Sequence, residues 1–275
     1  MIPEGNVQSN VDRFSGFEDD YDRYRPAAPQ QVAEILTAYL GTRPRLVADL
    51  GCGTGLSTFL WANQAERVIG IEPNDDMHGK AVKKLSHDHA DASGTVSFRA
   101  GYSNQLDLES GSADLVTCSQ SFHWMEPVST LLEASRVLTE GGIFACYDCD
   151  WPPTFNWTLE EAYNRLIDKA DAILAKLVDE GRRAKKWSKE GHLRQIRESG
   201  RFRFTKEIVF HNKEACDAER FVGLALSQGG LQSVLKTGST ALDADIQAFT
   251  SQAEQYFAGR TLDILFSYRM RLGVK

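Results

Sequence analysis

The sequence predicts an α/β fold: a doubly wound, seven-stranded, mostly parallel sheet of Rossmann-like type, with a helical insertion after strand five. Three observations predict it. An apolar run, Leu46 to Leu50, ends in the glycine-spaced turn Gly51-Cys52-Gly53-Thr54-Gly55. A second run, Val68 to Ile71, ends in a single acid, Glu72. Apolar runs and helical periods then alternate to about residue 149, and two strand-like segments lie near the C-terminus. An apolar run bounded by glycines reads as a strand buried on both faces, and a turn without Cβ atoms lets the backbone approach a ligand. An acid at the end of the next strand stands beside that turn, at the carboxyl edge where such sheets bind ligands.

The elements follow in order. A helix is expected from about Pro29 to Leu40, strand one from Arg45 to Leu50, a helix from about Gly55, and strand two ending at Glu72. Asn74 and Asp75 supply a cap for a helix running to about His87. Strand three falls near Thr95 to Ala100 and strand four near Asp114 to Cys118. A helix from Pro127 to Leu138 is closed by Glu140-Gly141-Gly142 before strand five, Ile143 to Cys149. Ala162, Leu166, Ala170, Ile173 and Leu177 recur at helical spacing, which places an amphipathic helix over about Leu159 to Val178. The last strands are expected at Phe202 to His211 and Thr261 to Leu272, with helical material from Asp217 to Phe257 between them.

The glycine spacing narrows the ligand. A dinucleotide site favours G-x-G-x-x-G, with the pyrophosphate on a helix N-terminus. Here Asp49-x-Gly51-x-Gly53-x-Gly55 has an acid at the strand end, which would repel a pyrophosphate but suits a ligand carrying an ammonium group. This pattern resembles motif I of the class I S-adenosylmethionine-dependent methyltransferases. The resemblance implies that Asp49, Gly51, Cys52, Gly53, Thr54 and Gly55 surround the cofactor and that Glu72 holds its ribose hydroxyls, with Pro73 and Met77 following along it. Phe98 to Leu106 resembles the family's adenine-contacting segment, which brings in Tyr102 and Ser103. Many members have an acid where this chain has Tyr102, so adenine contacts are expected from backbone groups or from the ring.

Two further segments resemble small-molecule enzymes of the trans-aconitate methyltransferase type: Tyr21-Asp22-Arg23-Tyr24-Arg25-Pro26 and the His123-Trp124 pair after strand four. The first implies that Tyr24 and Arg25 close over the methionine end of S-adenosylmethionine, as an extended strap, since Pro26 disfavours helix at Arg25. Ser119, Gln120 and Phe122 are expected to contact the cofactor as well. His123 is the candidate general base, or else a histidine that packs without moving a proton. The aromatic residues Trp124, Trp151, Phe155, Trp157 and Trp187 are candidates to line an acceptor pocket and meet the sulfonium charge.

Composition agrees with an enzyme of this kind. The 275 residues, 42% hydrophobic, suffice for one large core with residues 151–200 as a lid inserted into a single domain. No apolar run is long enough to span a membrane and the N-terminus is not a secretion signal, so a cytoplasmic protein is expected. Five cysteines scattered over buried strands fit a reducing compartment. Cys146 and Cys149 have redox spacing but lie within a strand, and no cysteine–histidine cluster suggests a metal. The net charge is −7, which with the absence of base-methyltransferase motifs argues against nucleic acid as partner. Within residues 182–206, however, ten Lys and Arg (182, 183, 185, 186, 189, 194, 197, 201, 203, 206) face two acids, Glu190 and Glu198. Such a run is either a solvated face or a wall that attracts an anion. The expected function is methyl transfer to a small acceptor, first a carboxylate, which needs no base at neutral pH. A phenol, thiol or amine acceptor, and a cofactor-binding regulator without turnover, are the alternatives.

Overall fold

The computed structural model describes residues 2–178 and 183–275. Seven strands form one sheet: β1 (Leu46–Leu50), β2 (Arg67–Glu72), β3 (Val96–Ala100), β4 (Ala113–Ser119), β5 (Leu138–Cys149), β6 (Phe204–Cys216) and β7 (Leu262–Val274). Their order is β3-β2-β1-β4-β5-β7-β6, and the first five are parallel. β7 runs antiparallel between β5 and β6. The winding direction reverses between β1 and β4, so a crevice opens beyond their carboxyl ends.

Ten helices accompany the sheet among the described residues: α1 (Gln8–Asp12), α2 (Glu18–Tyr24), α3 (Gln30–Leu40), α4 (Asp75–His87), α5 (Pro127–Val137), α6 (Trp157–Leu177), α7 (His192–Glu198), α8 (Ala218–Leu226), α9 (Gly229–Leu235) and α10 (Asp243–Phe257). β1 is buried at every position, as a parallel strand covered on both faces must be. One core layer includes Leu50, Ile69, Val116 and Phe144; the opposite layer includes Val47, Val68, Leu115 and Met270. A third core joins α6, α8 and α10 to the strand ends through Tyr163, Phe221, Phe249, Phe257 and Phe266. The helical material expected from Asp217 to Phe257 packs on α6 in this third core.

Three expectations need correction. No α-helix follows Gly55; a short 3-10 turn, Thr58–Trp61, takes its place. Gly55 has φ +84°, outside the helical region, and a Cβ there would stand 2.8 Å from Phe59 Cε2. The N-terminal strap is helical through Tyr24, and only Arg25, held by Pro26, is extended (φ −67°, ψ 144°). Glu140 to Gly142 lies within β5, since α5 ends at Val137. Elsewhere the start of α4 matches: Asn74 Oδ1 accepts from the Met77 N–H at 3.0 Å. All five cysteines are buried and free.

α2 docks on α8 only because Gly223 lacks a side chain. A Cβ at Gly223 would lie 2.3 Å from Tyr24 Cγ. Gly223→Ala should cost about 1–3 kcal/mol through overpacking and lower Tm by roughly 2–4 °C per kcal/mol. An unchanged melting curve by scanning fluorimetry would contradict this packing.

Candidate active site

The turn after β1 is folded against the end of β2. Gly51 N–H and Cys52 N–H both donate to the Ile71 carbonyl, at 2.8 and 3.2 Å. Glu72 Oε2 accepts from the Gly53 N–H and Oε1 from the Asn74 N–H, each at 2.9 Å. Burial pushes the Glu72 carboxyl up to about 7, although these two backbone donors oppose the rise. Gly51 closes on the loop after β4: a Cβ there would stand 2.7 Å from Ser121 Cβ. At Gly53, φ is +58° and the nearest atom to a Cβ would be Tyr21 Cε1 at 4.0 Å, so this glycine opens onto a cavity.

That cavity has a volume of about 90 Å³. Its floor is Gly51, Gly53 and Glu72; Pro73, Met77, Tyr102 and Ser103 form one side, and Ser119, Gln120 and Ser121 the other. Its roof comes from α1 and its flanks, Asn6, Val7, Asn10, Val11 and Phe14. A second chamber of about 960 Å³, open to solvent, lies beyond. Phe14, Tyr21, Gln120 and Trp124 line both chambers and form the wall where they meet. Gln120 has φ +52°, a costly backbone state for a residue with a side chain. It is held there by its N–H to the Tyr147 carbonyl at 2.8 Å and by Trp151 Nε1 on its Oε1 at 3.3 Å.

Several expected residues stand behind the cavity. Asp49 accepts from Thr58 Oγ1 at 2.7 Å and Thr117 Oγ1 at 2.9 Å, and burial raises its carboxyl to about 6. It pins the turn and faces no open space. Cys52 is buried behind Gly53 with its thiol pushed up by burial, and Gly55 packs on Phe59 and Phe98. Thr54 Oγ1 donates to Asp22 Oδ1 at 2.7 Å, joining the turn to α2. Phe122 packs in the core on Phe144. Tyr24 lies against α8 with its hydroxyl on Glu219, and Arg25 reaches the second chamber rather than the first. Trp124, Trp151 and Trp187 line that chamber, whereas Phe155 packs on Phe257 and Trp157 is 73% exposed.

The second chamber carries Arg13, Arg25, Arg183, Lys186 and Lys189 against Asp12, Asp171 and Glu190. Of the basic run, Arg183, Lys186 and Lys189 face it, while Arg194, Arg197, Arg201, Arg203 and Lys206 are exposed; residue 182 lies outside the described residues. His123 also lines it, with Nδ1 3.4 Å from Asp148 Oδ1. Burial lowers the His123 pKa, and the Asp148 charge only partly restores it, so the imidazole is neutral near pH 7. Burial alone would raise Asp148, but His123 and Lys189, the latter at 3.0 Å, hold it well below the usual carboxylate range. The missed residues, from Val7 through Asn10 and Val11 to Phe14, share a spacing of three and four, the one signal that a helical face lay there.

Residues 48–146 match the family model of the methyltransferase domain. They form a methyltransferase domain. A Saccharomyces cerevisiae protein named a probable S-adenosylmethionine-dependent methyltransferase is 32% identical over 127 residues, 46% of this chain and 43% of its own. The chain spans about half the length of the curated relatives it matches. Among solved structures, a protein from Anaeromyxobacter dehalogenans assigned as a type II methyltransferase has TM-score 0.64 at 18% identity, covering 91% of this chain and 98% of that one. The [4+2]-cyclase SpnF has TM-score 0.55 at 15% identity, covering 98% and 97%. At such identity these two share the methyltransferase fold. Among the described residues, no helix is long and apolar enough to cross a membrane and no cluster of His, Cys, Asp and Glu could hold a metal.

The Glu72 carboxyl, titrating near 7 when folded and near 4.5 when unfolded, binds its proton more tightly in the folded state between those values. Its contribution to stability therefore falls as pH rises through that window. Glu72→Gln should gain stability relative to wild type from pH 5 to pH 8, by at most about 1.4 kcal/mol per unit. Parallel urea titrations of ligand-free protein that keep a constant difference across this range would show that the carboxyl is not held as described.

Proposed function

We propose that this protein transfers the methyl group of S-adenosylmethionine to the carboxylate of a small-molecule acceptor. The observation that carries the proposal is the pair of chambers meeting at Phe14, Tyr21, Gln120 and Trp124, one bearing a buried acid and the other an excess of cations. In the first chamber, each Glu72 oxygen takes one backbone N–H, and an ionised carboxylate has about four acceptor sites. Two remain for the ribose hydroxyls, and the open face of Gly53 leaves room for the ligand beside them. Pro73, Met77, Tyr102 and Ser103 are the proposed adenine side, and Ser119 and Gln120 the methionine side.

When bound, the cofactor supplies an electrophilic methyl carbon on a sulfonium. Phe14, Tyr21 and Trp124 line the junction, where aromatic rings would limit water and could meet the sulfonium charge. Gln120 and the second chamber hold the acceptor in line, which is most of what such a transfer asks of a protein. The segments resembling the trans-aconitate type supply Tyr21, Arg25, His123 and Trp124 to these walls, which favours a small carboxylate.

One observation favours a second reading. A neutral His123 beside Asp148, lining the acceptor chamber, is equipped to take a proton from a phenol, thiol or amine. His123→Asn separates the two. With a carboxylate acceptor kcat should fall only severalfold, and with a base-dependent acceptor by on the order of 10² or more. S-adenosylhomocysteine formation, matched to a methyl ester by mass spectrometry against a panel of carboxylic acids, is the measurement. Cofactor binding without turnover on acids, phenols, thiols or amines would point to a regulator instead.

A further inference from the structure

The second chamber holds cations that its own acids do not answer. The Arg13 side chain makes no hydrogen bond or ion pair among the described residues, and its buried Nε has no partner. Its guanidinium lies 4.0 Å over the Trp124 ring. Arg25 donates from Nη2 to the Ser227 carbonyl at 2.8 Å, but its buried Nε is also without a partner, and its guanidinium lies 4.5 Å over Trp151. Burial lowers the Arg13 pKa to about 10, with Asp171 opposing and the charge of Arg25 adding to the fall, so Arg13 remains cationic at neutral pH and is repelled by Arg25. Sheltered, mutually repelling cations are costly unless an anion joins them.

The rings beneath these groups decide where that anion would sit. Trp124 belongs to the wall between the chambers, and Arg25 also stands 5.3 Å from the Tyr21 ring in the same wall. The two guanidiniums thus flank the point where an acceptor must meet the methyl group. A planar guanidinium fork matches a carboxylate in shape as well as charge. Ile167 and Leu174 of α6, with Val178 at its C-cap, add apolar side chains to the same chamber, beside Asp171.

We propose that the second chamber takes an amphipathic carboxylic acid, its carboxylate between Arg13 and Arg25 and its apolar body along Trp151, Ile167, Leu174 and Val178, and that methylation itself weakens the hold on the product. The proposal rests on the acceptor reading above. In the transfer a carboxylate oxygen forms the new C–O bond with the methyl carbon as the S–C bond breaks, and the bonding pair returns to sulfur. An anion and a sulfonium become a neutral ester and a neutral thioether. Arg13 and Arg25 lose their counter-ion in the same step, so the ester leaves more readily than the acid.

Binding of hexanoate and cinnamate, with their methyl esters and primary amides, tests this without any turnover. Tryptophan fluorescence of the full chain reads it, with and without saturating S-adenosylhomocysteine. Each acid should bind at least about tenfold more tightly than its ester and amide, as expected for hydrogen bonds to charged groups. Arg13→Gln and Arg25→Gln should each weaken the acids about tenfold and leave the esters and S-adenosylhomocysteine unaffected. Acids, esters and amides that bind alike to the unaltered protein overturn the proposal, and so does an acid preference that survives in both variants. Malonate binding as tightly as hexanoate would remove the apolar body. Failure to bind S-adenosylhomocysteine, with the acid preference intact, would overturn the methyltransferase reading and with it the release of product on methylation, while the carboxylate site between Arg13 and Arg25 would stand.

Discussion

A buried carboxylate held by two backbone amides organises the ligand side of this molecule. Glu72 ends β2, and its oxygens are fixed by Gly53 in the turn after β1 and by Asn74 at the start of α4. Three chain segments that diverge from the sheet edge are thereby locked to one another at a single side chain. The turn accepts this only because Gly51, Gly53 and Gly55 all take positive φ, and because the Ile71 carbonyl receives both Gly51 and Cys52. Asp49, one strand away, bonds Thr58 and Thr117 and faces no open space. The two motif acids therefore divide the work: Asp49 shapes the turn from behind, and Glu72 faces the cavity.

The same economy extends to the roof. Asn74 caps α4 and also donates to the Val11 carbonyl and Ser15 Oγ, at 3.0 and 2.9 Å, so the floor holds the N-terminal segment in place. Asn10 in turn donates to the carbonyls of Trp124 and Lys185, each at 2.8 Å, and accepts from the Lys185 N–H at 2.7 Å. α1 is thus bonded to the strand-four loop and to the basic segment at once. Its Asn10 faces the smaller chamber and its Asp12 the larger. Any movement of this short helix alters both chambers, which suits a reaction between two ligands that must be enclosed together.

The sheet and the floor of the site were legible in the sequence because their causes are local. Continuous burial makes β1 an unbroken apolar run, a positive φ selects Gly53, and the Asn74 cap marks α4. The turn after Gly55 was misread because its conformation is set by distant partners, Asp49 holding Thr58 and Phe98 packing on Gly55. The roof and the acceptor chamber were largely illegible for the same reason. Arg13 has no motif; its place depends on Trp124 beneath it and on Gly229, where a Cβ would stand 2.5 Å from its Nη2. Tyr24 drew attention that belonged to Tyr21, since only docking on Gly223 decides which tyrosine of the segment faces inward.

The central claim is that the two chambers form one reaction path through the wall of Phe14, Tyr21, Gln120 and Trp124. A crystal structure of the complex with S-adenosylhomocysteine tests it most directly. The ribose hydroxyls should lie on Glu72, and the sulfur should reach that wall with its open side toward Arg13 and Arg25. A cofactor seated on Glu72 with its sulfur turned away from the second chamber, or one bound elsewhere, would contradict the path.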